Sequence, residues 1–262
     1  MLRSLYTAAT GATTQQFNMD IIANNVSNVN TTGYKKTRAE FQDLINQTFS
    51  SPGSLGSQGT IDPVGVQVGL GTRISATQRD FINGPIIQTA NPLDMAIQGD
   101  GFFQIQLDNG QIGYSRDGSF KRDANGSIVT TDGYPLIPQM TIPQDATEVT
   151  IGSNGSVSIR DATGNFQEIG QIQLARFANP AGLEAQGRNL YTRTPSSGDP
   201  IVGQLGQGEF ARTTIGQGFL ENSNVQIVEE LINLITAQRA FEANSKVMQA
   251  GDQMLQTINQ IV

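Results

Sequence analysis

Four short runs in this chain carry residue types that do chemistry in other settings, and each is incomplete. Asp123-Ala124-Asn125-Gly126 has the acid-to-glycine order of a calcium loop. That loop needs an acid two positions earlier and a bidentate glutamate six positions after the glycine. Lys121 and Asp132 stand there instead, so a hairpin turn is the favoured reading. Gly69-Leu70-Gly71 resembles part of a phosphate loop, but no third glycine or Lys-Ser/Thr pair follows. Glu229 and Glu230 are adjacent, so on a helix they point about 100° apart and cannot face one another as acid and base. They suit the start of a helix instead. Lys35-Lys36 with Arg38 is a small basic cluster. Its ordinary reading is a solvated face; its sharper one is contact with an acidic neighbour. The scattered aspartates include no pair that spacing selects for glycoside hydrolysis.

Composition removes further chemistry. The 262 residues include no cysteine and no histidine. Disulfides, thiolate nucleophiles, the usual zinc sites and imidazole bases are therefore excluded. No catalytic, cofactor-binding or metal site is expected. Net charge is −7, which disfavours nucleic acid, because neutralising phosphates needs basic residues. No apolar run reaches the roughly 18 residues of a membrane span. The opening Met1-Leu2-Arg3-Ser4-Leu5-Tyr6 leads into a Thr/Ala/Gln-rich stretch, so no cleaved secretory signal is expected.

The elements that position these residues fall into three zones. From about Leu2 to Asn28, the residues Leu5, Ala9, Ala12, Met19, Ala23 and Val26 recur at helical spacing, with Gln16 in the one polar slot. Near the other end Ile227, Leu234, Phe241, Met248, Leu255 and Val262 recur every seven residues. The interleaved positions are taken as Leu231, Gln238, Ser245, Asp252 and Asn259, mostly polar. A strict seven-residue period predicts a helix with one narrow apolar seam. Asn222, Ser223 and Asn224 are candidate caps. So narrow a seam requires a partner, either the first helix or neighbouring molecules. Between the ends, residues 91–212 read as β. Asn109-Gly110, Asp117-Gly118, Asn125-Gly126 and Asp132-Gly133 mark turns between short apolar runs. Asn46 to Gly71, rich in Ser and Gly, reads as a linker.

The expected fold is α+β. The N- and C-terminal helices pair as a coiled-coil-like terminal domain (1–30 with 223–262). A connecting region follows (31–90 with 208–222), then a central antiparallel all-β domain (91–207).

Four motifs, spread along the chain in order, carry a family resemblance. Asn24-Asn25-Val26-Ser27-Asn28 running to Gly33-Tyr34-Lys35 resembles the N-terminal signature of flagellar rod and hook proteins. Leu93 to Phe103, with Gly99, Gly101, Phe102 and Phe103, resembles their central motif, and Tyr114 to Phe120 continues it. Gln238 to Val247, with Arg239 and Asn244, is similar to the C-terminal signature. Within the family, chain length, the double phenylalanine and a segment ending Val66 to Arg73 favour the distal-rod member. The last of these resembles an insertion that distal-rod proteins carry.

The resemblance implies a structural subunit, not an enzyme. It implies export through the flagellar type III apparatus and assembly across the periplasm into a helical tube that transmits torque. The implied partners are further copies of the chain, proximal rod proteins, the hook protein and the P and L rings. The residues assigned to assembly are Leu5, Met19, Val26, Ile227, Leu234, Phe241, Met248 and Leu255. The alternatives are a proximal rod or hook subunit, a secreted β-domain polysaccharide hydrolase, or a trimeric fibre.

Overall fold

The computed structural model describes residues 2–51, 53, 64–162 and 164–261. Most of the expected linker between Ser50 and Pro63, and the last seam residue Val262, lie outside them. The chain divides into two compact units. One comprises residues 1–27, 37–78 and 226–262; the other comprises 28–36 and 79–225. The segments expected to form a separate connecting region are shared between the two.

Among the described residues the terminal unit holds two long helices, α1 (Leu2–Ser27) and α2 (Ile227–Ile261), with four strands. The strands are β1 (Thr37–Asp43), β2 (Asn46–Ser50), β3 (Val66–Gly69) and β4 (Thr72–Arg79). β1 pairs with β4, and β2 pairs antiparallel with β3. The linker reading of Asn46 to Gly71 is thus corrected at both ends, where the chain forms a ribbon. Val66 and Val68 alternate with polar residues there, which suits a strand, and the Ser/Gly composition between them masks the pattern.

The described strand pairs of the central unit are antiparallel, with short 3-10 turns at Pro180–Gly182 and Gly208–Phe210. β5 (Ile86–Gln88) pairs with β20 (Phe219–Glu221), and β6 (Met95–Gln98) pairs with β19 (Thr214–Gln217). Strands therefore extend well outside the expected 91–212 zone. At three or four residues each, β5, β19 and β20 are too short to show an alternating pattern.

The main sheet is built on β7 (Phe102–Gln106), which pairs with β8 (Ile112–Ser115), β11 (Leu136–Ile137) and β15 (Gln173–Arg176). β16 (Glu184–Gly187), β17 (Leu190–Thr192) and β18 (Ile201–Gln204) complete it. A hairpin of β9 (Lys121–Arg122) and β10 (Ile128–Val129) lies apart from that sheet. So does a three-stranded sheet of β12 (Ala146–Ile151), β13 (Ser156–Asp161) and β14 (Phe166–Gln171).

The turn signals act as expected at three of four sites. Gly110, Gly126 and Gly133 have positive φ and close tight turns. Asp123 to Gly126 is thus the β9–β10 turn. The fourth differs: Gly118 lies against the Met95 carbonyl, and Asp117 accepts hydrogen bonds from Thr32 and Ser119.

Phe102 and Phe103 explain the double phenylalanine. Successive strand residues point to opposite faces, so each ring enters a different core. Phe103 packs with Met95, Ile97, Phe120, Val157 and Leu174, among others. Phe102 packs with Tyr114, Phe177 and Tyr191.

Candidate assembly site

The helices of the terminal unit meet antiparallel. A Cβ on Gly251 would sit 2.6 Å from the Leu5 side chain, and one on Gly11 would sit 2.9 Å from Asn244. At the far end the Asn25 side-chain amide donates to Glu230 over 3.3 Å. These contacts correct the reading of α2. The second column of its seam is Glu230, Ala237, Asn244 and Gly251, three residues after each large anchor; Glu230, Ala237 and Gly251 are buried. The column expected four residues after each anchor is largely solvent-facing. Small side chains let the helix backbones approach, and they leave no apolar signal in the sequence.

On α1 the buried face is also shifted, by about one residue. Ala8, Ala12, Ile21, Ile22 and Asn25 are buried, whereas Ala23 is exposed. Leu5, Met19 and Val26 are half-buried, as are Leu234, Phe241, Met248 and Leu255; Ile227 is exposed. The pairing of α1 with α2 therefore occupies most of the anchors assigned to assembly.

What α2 leaves uncovered lies elsewhere. Val228 and Ile235 follow the heptad column by one residue and are 71% and 50% exposed. Val247 and Met254 precede it by one residue and are both 49% exposed. A step of one residue turns a helix by about 100°, so these pairs lie on opposite flanks of the seam. Leu231 and Ile232 widen the first patch and Ile258 extends the second; all three are exposed.

The N-terminal signature does two jobs. Within the terminal unit, Asn25 takes both backbone groups of Thr37: its amide donates to the carbonyl and its carbonyl accepts from the N–H. Within the central unit, Gly33 has a φ of 67°, and its N–H donates to the Glu221 carbonyl. A Cβ there would collide with the backbone at Arg116 and Asp117. Tyr34 is buried and Asn28 accepts from Thr31. Asn24 and Arg239 are exposed.

The solvated-face reading of the basic cluster is overturned at Lys35, which is fully buried. Its ammonium donates to Glu221 Oε1 over 2.7 Å and to the Ile82 carbonyl over 2.8 Å. Gly84 N–H also donates to Oε1. Arg116 reaches the other carboxylate oxygen over 3.3 Å and donates to the carbonyls of Ile97 and Gly99. Burial holds Lys35 below its ordinary pKa, against the pull of Glu221, and lowers Arg116 likewise. Removing one member would strand the others in a low-dielectric interior. Arg38 is exposed and bonds Gln78. A charge run gives no sign of which member will be buried, and Glu221 stands in no motif. The cue for Lys35 is its place directly after Gly33-Tyr34.

Asn222, Ser223 and Asn224 do not directly precede α2, which begins at Ile227. Asn224 instead accepts from the Lys36 N–H and donates to the carbonyls of Asp80 and Ile82. Among the described residues no helix is long and apolar enough to cross a membrane, and no three potential ligands cluster as a metal site.

Comparison with known proteins gives one consistent result. Residues 5–35 match the flagella basal body rod protein family, 96–159 the flagellar hook protein FlgE/F/G D1 domain, and 217–261 the flagellar basal body rod FlgEFG protein C-terminal region. The chain is 49% identical to the flagellar basal-body rod protein FlgG of Borreliella burgdorferi, over 100% of this chain and 99% of that one. The protein of the same name in Agrobacterium fabrum is 45% identical, covering 98% of each chain. In Bacillus subtilis it is 39% identical, again over 98% of each.

Proposed function

The chain belongs to the flagellar basal-body rod protein family, and on that premise we propose that it builds the distal rod as a torque-transmitting helical tube. It is a structural subunit of the rod and not an enzyme. The terminal helices, residues 1–30 with 223–262, form the polymerising domain and pair in a coiled-coil-like manner. The tube crosses from periplasm to outer membrane. It contacts proximal rod proteins, the hook protein and the P and L rings, after export through the type III apparatus without signal cleavage.

The supporting observation is the pair of apolar patches on opposite flanks of α2. Two different patches on one helix favour head-to-tail contacts, in which each copy offers one surface and receives at another. Repeated with rotation and rise, such contacts give an open helix and not a closed ring. The helix seam orients these patches, so Leu5, Met19, Val26, Leu234, Phe241, Met248 and Leu255 act by holding α1 on α2, while Ile227 lies in the contact itself.

Val228→Asp and Met254→Asp test the reading, one on each flank. Each is expected to leave the thermal midpoint of the soluble chain unchanged and to abolish both sedimentable polymer and swimming. Normal polymer growth in either variant sinks it.

A further inference from the structure

A pocket of about 220 Å³ opens in the central unit beside the second core. Its wall includes Phe81, Phe102, Phe177, Pro180, Arg116 and Arg176. The rings already stack edge to face: Phe81 lies 5.4 Å from Phe102, and Phe102 lies 5.9 Å from Phe177. Two polar features of this wall are unfinished. Arg116 is buried, and its Nε has no acceptor. Arg176 is half-exposed and reaches Asp100 and Glu209 only over 3.5 and 3.7 Å, longer than a strong guanidinium–carboxylate bond. An occupant that matches this wall presents an aromatic ring to the stacked rings and, beside it, a carboxylate to Arg176.

The terminal unit displays that pair. Phe41 and Asp43 lie two residues apart on β1, hence on one face of the strand. Phe41 is 42% exposed, and Asp43 is exposed as well. The β1–β4 sheet has only two strands, so one edge of β1 is open among the described residues.

We propose that this pocket receives Phe41 and Asp43 of a second copy of the chain, a subunit contact separate from the helix patches. The Phe41 ring extends the edge-to-face cluster at Phe102, over which the Arg116 guanidinium already lies at 5.6 Å. The Asp43 carboxylate pairs with Arg176. The contact rests on the rod reading for its occupant but is measured without a polymer.

The test titrates full-length protein into a fluorescein-labelled peptide of residues 37–46 and reads anisotropy. Saturable binding is expected. It should weaken at least tenfold in Arg176→Glu and in Ala178→Phe, which fills the mouth. A peptide carrying Asp43→Arg should recover binding to Arg176→Glu. Both protein substitutions are at partly or fully exposed positions, and circular dichroism confirms that each variant is folded. Absence of saturable binding, indifference to both substitutions, or equal competition by a scrambled peptide overturns the proposal. Sedimentation of polymer remains an independent measure of the rod reading, so the two fail separately.

Discussion

The two units solve burial in opposite ways. The central unit closes on itself: sixteen of the described residues form its main core, with Phe103, Val157, Ile172 and Leu174 fully excluded from water. It even buries charged side chains, Lys35, Glu221 and Arg116 among them, and satisfies most of their hydrogen-bonding groups internally. The terminal unit does not close. Its helices meet through Ala, Gly and Asn, its anchors remain half-exposed, and several large aliphatic side chains on α2, such as Ile232 and Ile235, face outward. A folded domain that needed nothing else would not leave so much apolar surface on two sides of one helix. The contrast separates a closed core from a helix that leaves apolar side chains exposed on two flanks.

That contrast breaks most readily at Glu221. Glu221→Ala leaves Lys35 and Arg116 buried together, and is expected to destabilise the central unit by about 3–5 kcal/mol in urea unfolding. A loss below about 1 kcal/mol would mean the cluster is open to water and the scaffold less finished than described. Matched truncations sharpen the point. Phe103→Ala, in the closed core, is expected to cost about 3–5 kcal/mol. Phe241→Ala, in the helix seam, should cost well under half as much in the soluble chain, yet still impair polymer growth. Equal losses would erase the distinction between the units.

Smaller effects probe each side separately. Gly251→Val drives a branched side chain into Leu5 and is expected to cost about 1–3 kcal/mol, seen as lost helical signal with the β unit intact. Alkaline pH acts on the central unit. Burial holds the phenols of Tyr114 and Tyr191 above their ordinary pKa near 10. The unfolded chain ionises first, so this contribution is complete below about pH 10 and is lost as pH rises through the folded values. Lys35, held low by burial, works in the opposite sense up to its ordinary value near 10.4. Tyr191→Phe is therefore expected to make the fall of the urea midpoint above about pH 10 shallower. An unchanged slope would show that Tyr191 ionises freely in the fold.

The sequence made the helices legible because Leu234, Phe241, Met248 and Leu255 repeat without a miss. It hid half of their seam, because Ala237, Asn244 and Gly251 serve by being small, and smallness has no hydropathy signature. Three hairpins were legible from Asn-Gly and Asp-Gly pairs. Asp117-Gly118 was not, because the same dipeptide also serves where backbone must pass close to backbone. Strands at the edges of the β region were invisible in polar runs such as Thr72–Arg79, whose pairing comes from tertiary context and not from alternation. Lys35 was misread for a related reason: burial of a charge depends on a carboxylate 186 residues away.

That separation along the chain also constrains time. β20 pairs with β5, and Glu221 joins Lys35 to Arg116, so the central unit needs residues 219–221, far along the chain from their partners, before it can close. Delivered from its first residue onward, the polypeptide has no complete scaffold until residue 221 has arrived. The next long element to emerge is α2, which begins at Ile227. Closure of the scaffold and emergence of the helix that carries the exposed apolar patches thus fall close together. Those patches do not emerge ahead of a half-built core.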